Sequence, residues 1–163
     1  MEQQLSLFSD LDNARTLLLS LQPQYWRLII AKEKKYEYRR KFPKYPVSAF
    51  IYASSPQKEL VGKVEFGDPI IDQSKKIAKF ADDCSPGSFG GVFEYLKGLE
   101  YGYAVPILSY CTVEPTSLSM LRKTFPDFRP PQSYLVLDNY KEILSFFNRL
   151  EMSEPYSFHH SQL

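Results

Sequence analysis

Lys34, Glu37 and Arg39 sit close together in a stretch, residues 25–44, that holds eight of the chain's 20 lysines and arginines. Only Glu33 and Glu37, of 19 acids, fall inside it. A formal charge of +1 over 163 residues therefore conceals a strongly basic patch, with Tyr25, Trp26, Tyr36 and Tyr38 set within it. Basic side chains attract phosphates without regard to sequence and aromatic faces stack on bases, so nucleic acid is the first partner to consider. A lysine partly desolvated beside other cations can also serve as a base or nucleophile. Lys34, near Lys32, Lys35 and Arg39, is the candidate on those grounds, the alternative being that all these charges are simply solvated.

Other chemistries are disfavoured. His159 and His160 are the only histidines and lie at the end of the chain, which argues against a Ser-His-Asp triad, a Cys-His dyad or a Cys/His zinc site inside the fold. There is no P-loop and no GxGxxG sequence, and no metal or cofactor is expected. Residues 87–91 read as a turn before a helix, with anion binding at that helix start as the weaker alternative. Cys84 and Cys111 are isolated, which suits a reducing cytoplasm. Neither a signal peptide nor an apolar run long enough to cross a bilayer is visible, so no membrane is expected.

The elements that must position the basic residues follow from the apolar pattern. Residues 16–21 read as a buried strand. Pro23 opens a helix that packs through Trp26, Ile29 and Ile30 and ends near Glu33. Residues 35–40 form a strand with Tyr36, Tyr38 and Arg40 on one face and Lys35, Glu37 and Arg39 on the other. Strands follow over 47–54 and 59–66, and the lysine-rich 70–82 suggests a short helix. A helix after Gly91 should bury Phe89, Val92, Phe93, Leu96 and Leu99 on one side. A strand runs over 101–113, with Pro106 forcing an edge or a bulge. A short helix over 117–124, a strand over 134–137 and a helix over 139–150 close the fold. The last of these faces inward through Tyr140, Ile143, Leu144, Phe147 and Leu150. Residues 1–15 are expected to be a flexible arm, 16–150 the folded domain, and 151–163 a disordered tail. Short strands interrupted by helices at irregular spacing predict an α+β fold around a small mixed or barrelled sheet.

Lys34-Lys35-Tyr36-Glu37-Tyr38-Arg39, entered from a helix with a basic end, is similar to the GxKxxExR signature of the ASCH domain, a relative of PUA RNA-binding domains. Lys34, Glu37 and Arg39 take the motif's Lys, Glu and Arg positions, and Lys32 stands where the family usually has Gly. Ile51-Tyr52-Ala53-Ser54-Ser55-Pro56 followed by Val61-Gly62-Lys63-Val64 resembles the family's strand, Ser-Pro turn and Val-Gly strand. Pro130-Pro131-Gln132-Ser133-Tyr134 resembles a late segment of one ASCH subgroup. The resemblance spans about residues 16 to 138 and implies a PUA-like fold, a small β-barrel flanked by helices with a cleft lined by the Lys-Glu-Arg motif. It implies RNA binding foremost, and in some members enzymatic action on acylated cytidine or on RNA. In the amidohydrolase-like members a Thr stands three residues after the Lys. Glu37 replaces it here, which counts against that same hydrolase chemistry.

The nucleic-acid-binding set expected on this basis is Lys34, Lys35, Tyr36, Glu37, Arg39, Arg40, Tyr52, Ser54, Ser55, Gln132 and Ser133. Arg39 should hold the Glu37 carboxylate while Lys34 reaches the ligand, and Tyr36, Tyr38 or Tyr52 should stack on an unpaired base. For Tyr36 and Tyr38 the simpler expectation is ordinary core. RNA is the leading partner and DNA the next. The alternative is a hydrolase acting on a modified nucleoside or on RNA, with Lys34 as base and Glu37 assisting. A third reading comes from Gln4-Leu5-Ser6-Leu7-Phe8, which looks like the pentapeptide that docks on the bacterial β sliding clamp. Gln4, Leu5, Leu7 and Phe8 would make those contacts, in a bacterial or phage protein associated with replication.

Overall fold

A computed structural model describes residues 15–160. The Gln4–Phe8 docking segment lies outside the described residues. The first strand, β1 (Thr16–Leu21), is a continuous apolar run because it lies between two neighbours and is covered on both faces. It pairs in parallel with β3 (Val47–Ala53), Thr16 opposite Ser48 and Leu21 opposite Ala53. On its other edge it meets β7 (Tyr134–Val136) antiparallel. Between β1 and β3 come α1 (Pro23–Ile30) and β2 (Tyr36–Arg39). β4 (Glu59–Phe66) follows β3 as an antiparallel neighbour, and β5 (Ile70–Gln73) leads into α2 (Ser74–Cys84) and α3 (Phe89–Tyr95).

The long strand β6 (Tyr101–Ser117) organises the rest. Its first residues pair with β2 and β5, its later ones with β4, and β8 (Tyr156–Ser157) joins it at Ser109 and Tyr110. The register shift at Glu65/Phe66, opposite Ile107 and Ser109, is the bulge that Pro106 leads one to expect, and there the sheet curls into a half-barrel. The main sheet path is β2-β6-β4-β3-β1-β7. α4 (Leu118–Thr124) and α5 (Lys141–Asn148) cover the face carrying Leu18, Phe50 and Leu60, with Leu121 and Phe147 packed into it. α1 lies over the opposite face, where Trp26 and Ile29 meet Leu17, Leu19 and Ile51. The mixed α+β architecture is the one expected.

Several elements differ from expectation for identifiable reasons. Residues 70–73 are strand, because β6 offers them a free edge, and the helix begins only at Ser74. Pro23, Trp26 and Ile29 make the buried face of α1, whereas Ile30 points outward. The α3 helix buries none of its own residues and starts at Phe89, taking in both Gly90 and Gly91; Leu96, just past its end, is the buried anchor. Tyr140 is exposed ahead of α5. The C-terminal segment, expected to be disordered, is packed as far as His160. Phe158 is buried with its amide donating to the Leu108 carbonyl, and the His160 ring bonds the Ile107 carbonyl at 2.7 Å. An apolar Tyr-x-Phe at 156–158 was enough to add a strand to the free edge of β6.

The exit of α1 sets the direction of the basic segment. The Lys32 amide donates to Ile29 O and the Glu33 amide to Leu28 O, both at 2.9 Å, and Lys32 has φ 65°. This is the paired closure that normally takes a left-handed glycine, and it explains the Gly of the resembling motif. Here the lysine pays the steric cost, and its ammonium lies 4.2 Å over the Tyr156 ring. Left-handed backbone costs a side-chain-bearing residue about 1 kcal/mol, and an exposed cation–ring contact returns about 0.5–1 kcal/mol. Lys32→Gly should therefore be close to neutral in the wild type but stabilising by about 1 kcal/mol once Tyr156→Ala has removed the ring. Urea denaturation of the four combinations measures this coupling directly.

Candidate nucleic-acid interface

β2 forms the floor of an open cleft of about 1680 Å³. Strand alternation turns Glu37 and Arg39 inward, leaving them 7% and 9% exposed, while Tyr36 and Tyr38 pack half-buried near Ile77 and Leu96. Lys34, delivered by the closed end of α1, places its ammonium 3.9 Å from Glu37 Oε2. The same ammonium stands 5.5 Å from the Tyr25 ring centre and 5.2 Å from that of Tyr38, so it is held between two rings and a carboxylate.

The expected Glu37–Arg39 pair does not form. Residues two apart on a strand are about 6.6 Å apart along it, and each of these side chains has a nearer partner on another element. Glu37 goes to Lys34, and the Arg39 guanidinium donates through Nη2 to Ser133 Oγ. Ser133 is itself fixed by β1: the Ser20 amide donates to Ser133 O at 3.0 Å, and Ser20 Oγ donates to Pro131 O at 2.5 Å. Glu37 Oε2 and Arg39 Nε are buried without a hydrogen-bond partner among the described residues, the lysine being at ion-pair rather than hydrogen-bond range.

The parallel strands β1 and β3 end together at another edge of the cleft, where the Ser54 amide donates to Leu21 O at 2.9 Å. Ser54 and Ser55 line the cleft there, with Tyr52 beneath them, buried, its phenol pushed up by that burial against an opposing Arg122. Burial, then the nearby Cys84, holds the Tyr38 phenol well above its ordinary range, so it stays a neutral donor. Arg40 extends from the end of β2 to the far wall, donating to Tyr95 O at 2.8 Å and Lys97 O at 3.2 Å. Tyr36 is wedged edge-on between Phe80 and His160, and Lys35 reaches His159 O at 3.5 Å. With Gln132, every residue of the expected binding set lines this cleft.

Sequence reasoning missed the wall formed by α2 and α3, which brings in Cys84 and Tyr95, and it missed Lys58, another left-handed residue (φ 51°). Lys58 had a usable signal in following the Ser-Pro turn. The α3 helix itself was legible from its apolar stripe, and Val92 and Leu96 do pack on Ile77, but nothing local showed that Arg40 would tie it to the cleft. The amides of Gly87 and Phe89, considered above as an anion site, both donate to Asp82 Oδ1, at 2.9 and 3.2 Å. That supports the turn reading.

A curled sheet with this flanking set of helices is the fold of the ASCH crystal structures, a PUA-like fold. A protein of Zymomonas mobilis named ASCH domain-containing ribonuclease is 24% identical over 149 residues, spanning 88% of this chain and 99% of its own. The crystal structure of ASCH from the same organism matches with TM-score 0.69 at 21% identity, covering 83% of this chain and 96% of that one. A tyrosine-to-phenylalanine variant of it matches with TM-score 0.69 and a serine-to-alanine variant with 0.67. No family model matches the chain.

Proposed function

We propose that this protein binds RNA in the β2 cleft, with Lys34, Arg39 and Arg40 taking phosphate or base-edge contacts and Glu37 accepting from a base amine. The observation that carries the reading is the pair of buried, unpartnered atoms, Glu37 Oε2 and Arg39 Nε, in a cleft lined by six cations and two carboxylates. Buried polar groups are ordinarily satisfied, so an acceptor and a donor left open on one strand of the cleft suit a ligand that offers both. Size bears on the alternative. A free modified nucleoside suits a pocket of roughly 300–1,000 Å³, and about 1680 Å³ is better matched to several linked nucleotides. The naming of the Zymomonas relative as a ribonuclease favours RNA over DNA.

That name also favours a second reading, strand cleavage. In it the Lys34–Glu37 pair takes the proton of a 2′-hydroxyl as its oxygen bonds to phosphorus. The bond from phosphorus to the 5′-oxygen breaks, that oxygen is protonated, and a cyclic phosphate and a 5′-hydroxyl result. Salt-series titrations on single-stranded RNA, hairpin RNA and duplex DNA, with recovered strands checked for product, test both readings. Binding to RNA that strengthens steeply at low salt supports the first. Product that vanishes in Lys34→Ala supports the second, and indifference to all three nucleic acids overturns both.

A further inference from the structure

Tyr25 and Tyr95 both line the cleft, yet they are 40% and 42% exposed, and among the described residues neither ring packs on another aromatic ring. They sit at opposite ends of its floor. Tyr25 lies beside Lys34, just before β2, whereas the backbone of Tyr95 is held by Arg40, just after it. The four residues of β2 between these anchors span about 13 Å. Cations stand along that interval: Lys34, Lys35 and Arg40 all line the cleft. Phe93 offers an internal comparison. It is as exposed, at 45%, but it stacks on Phe89 and does not line the cleft.

We infer that Tyr25 and Tyr95 are base-stacking platforms at the two ends of the cleft, so that its ligand is a run of unpaired nucleotides rather than one base or a duplex. This rests on the RNA-binding reading above and names the form of RNA. An exposed ring beside a phosphate-attracting surface accepts the face of any base, and stacking of this kind tolerates sequence. Bases inside a duplex already have both faces covered and have none to offer. The backbone between two stacked bases would run over the cations of β2, with Glu37 and Arg39 beneath it.

The test is a titration of short single-stranded RNA carrying 2-aminopurine, whose fluorescence is quenched on stacking. Tyr95→Ala should weaken binding about tenfold and relieve the quench, while Tyr95→Phe keeps both, because the ring and not the hydroxyl does the stacking. Phe93→Ala should bind as wild type. The salt slope should be the same in all, since no phosphate contact is lost. Tyr25→Ala should add a similar loss, but it also frees Lys34, so Tyr95 decides. If wild type binds and Tyr95→Ala binds equally with its quench intact, the platform assignment is overturned and the RNA-binding reading stands. If wild type fails to bind RNA at all, that reading falls first and takes the platforms with it.

Discussion

Arg39→Ala should reduce RNA affinity on the order of a hundredfold, and Arg39→Lys should recover little of it. The guanidinium is buried, committed through Nη2 to Ser133, and left with Nε open. Truncating one member of a buried charged contact costs about 2–5 kcal/mol, and about 2.7 kcal/mol corresponds to a hundredfold. Lysine replaces a planar fork with a single point of donation, so it cannot hold Ser133 and a ligand at the same time. The salt slope should fall by about one if the lost contact is to a phosphate, and stay constant if it is to a base edge. Ser133→Ala separates the two jobs of the guanidinium, leaving its charge while removing its tether. Affinity should then fall less than in Arg39→Ala. Thermal melting of each variant shows whether the fold is kept.

Gly62→Ala should be the most destabilising single-methyl change in the chain. A Cβ there would lie 2.1 Å from the nearest Trp26 ring carbon and 2.8 Å from the Cys111 carbonyl oxygen. Neither side can yield easily, since the indole is wedged under α1 and the carbonyl belongs to the β6 ladder. Overpacking of a rigid core costs about 1–3 kcal/mol and more where backbone must move. We expect the upper end or beyond, read as a drop in the urea midpoint at unchanged slope. Trp26→Leu should be costly alone yet partly rescue Gly62→Ala, giving a coupling of about 1–3 kcal/mol. Because α1 delivers Lys34, Gly62→Ala should also weaken RNA binding, although the residue lies outside the cleft.

Much of the fold is legible in the amino-acid sequence. The apolar runs at 16–21, 47–54 and 59–66 sit where the strands are, because central strands of a curled sheet leave little room for polar residues. The alternation in residues 35–40 placed Glu37 and Arg39 on one inward face, and three separated segments converged on one cleft. What remained hidden depends on contacts distant in sequence. Arg39 chooses Ser133, 94 residues away, over its neighbour Glu37. Residues 70–73 are strand only because β6 is there to pair with them. Tyr95 enters the cleft from the half-exposed side of α3, which the apolar stripe of Val92 and Leu96 leaves undetermined.

The order in which the chain leaves the ribosome gives the C-terminal strap a further meaning. Lys32 rests on Tyr156, Lys35 reaches the carbonyl of His159, and Tyr36 abuts the ring of His160. The basic segment therefore precedes in the chain the strap that backs it. Folding during synthesis proceeds from the N-terminus. A nascent chain would carry its lysines and arginines in the open, able to attract any polyanion, until the residues up to His160 have emerged. In the RNA-binding reading proposed above, the cleft takes its finished shape only once that strap has docked behind the basic segment.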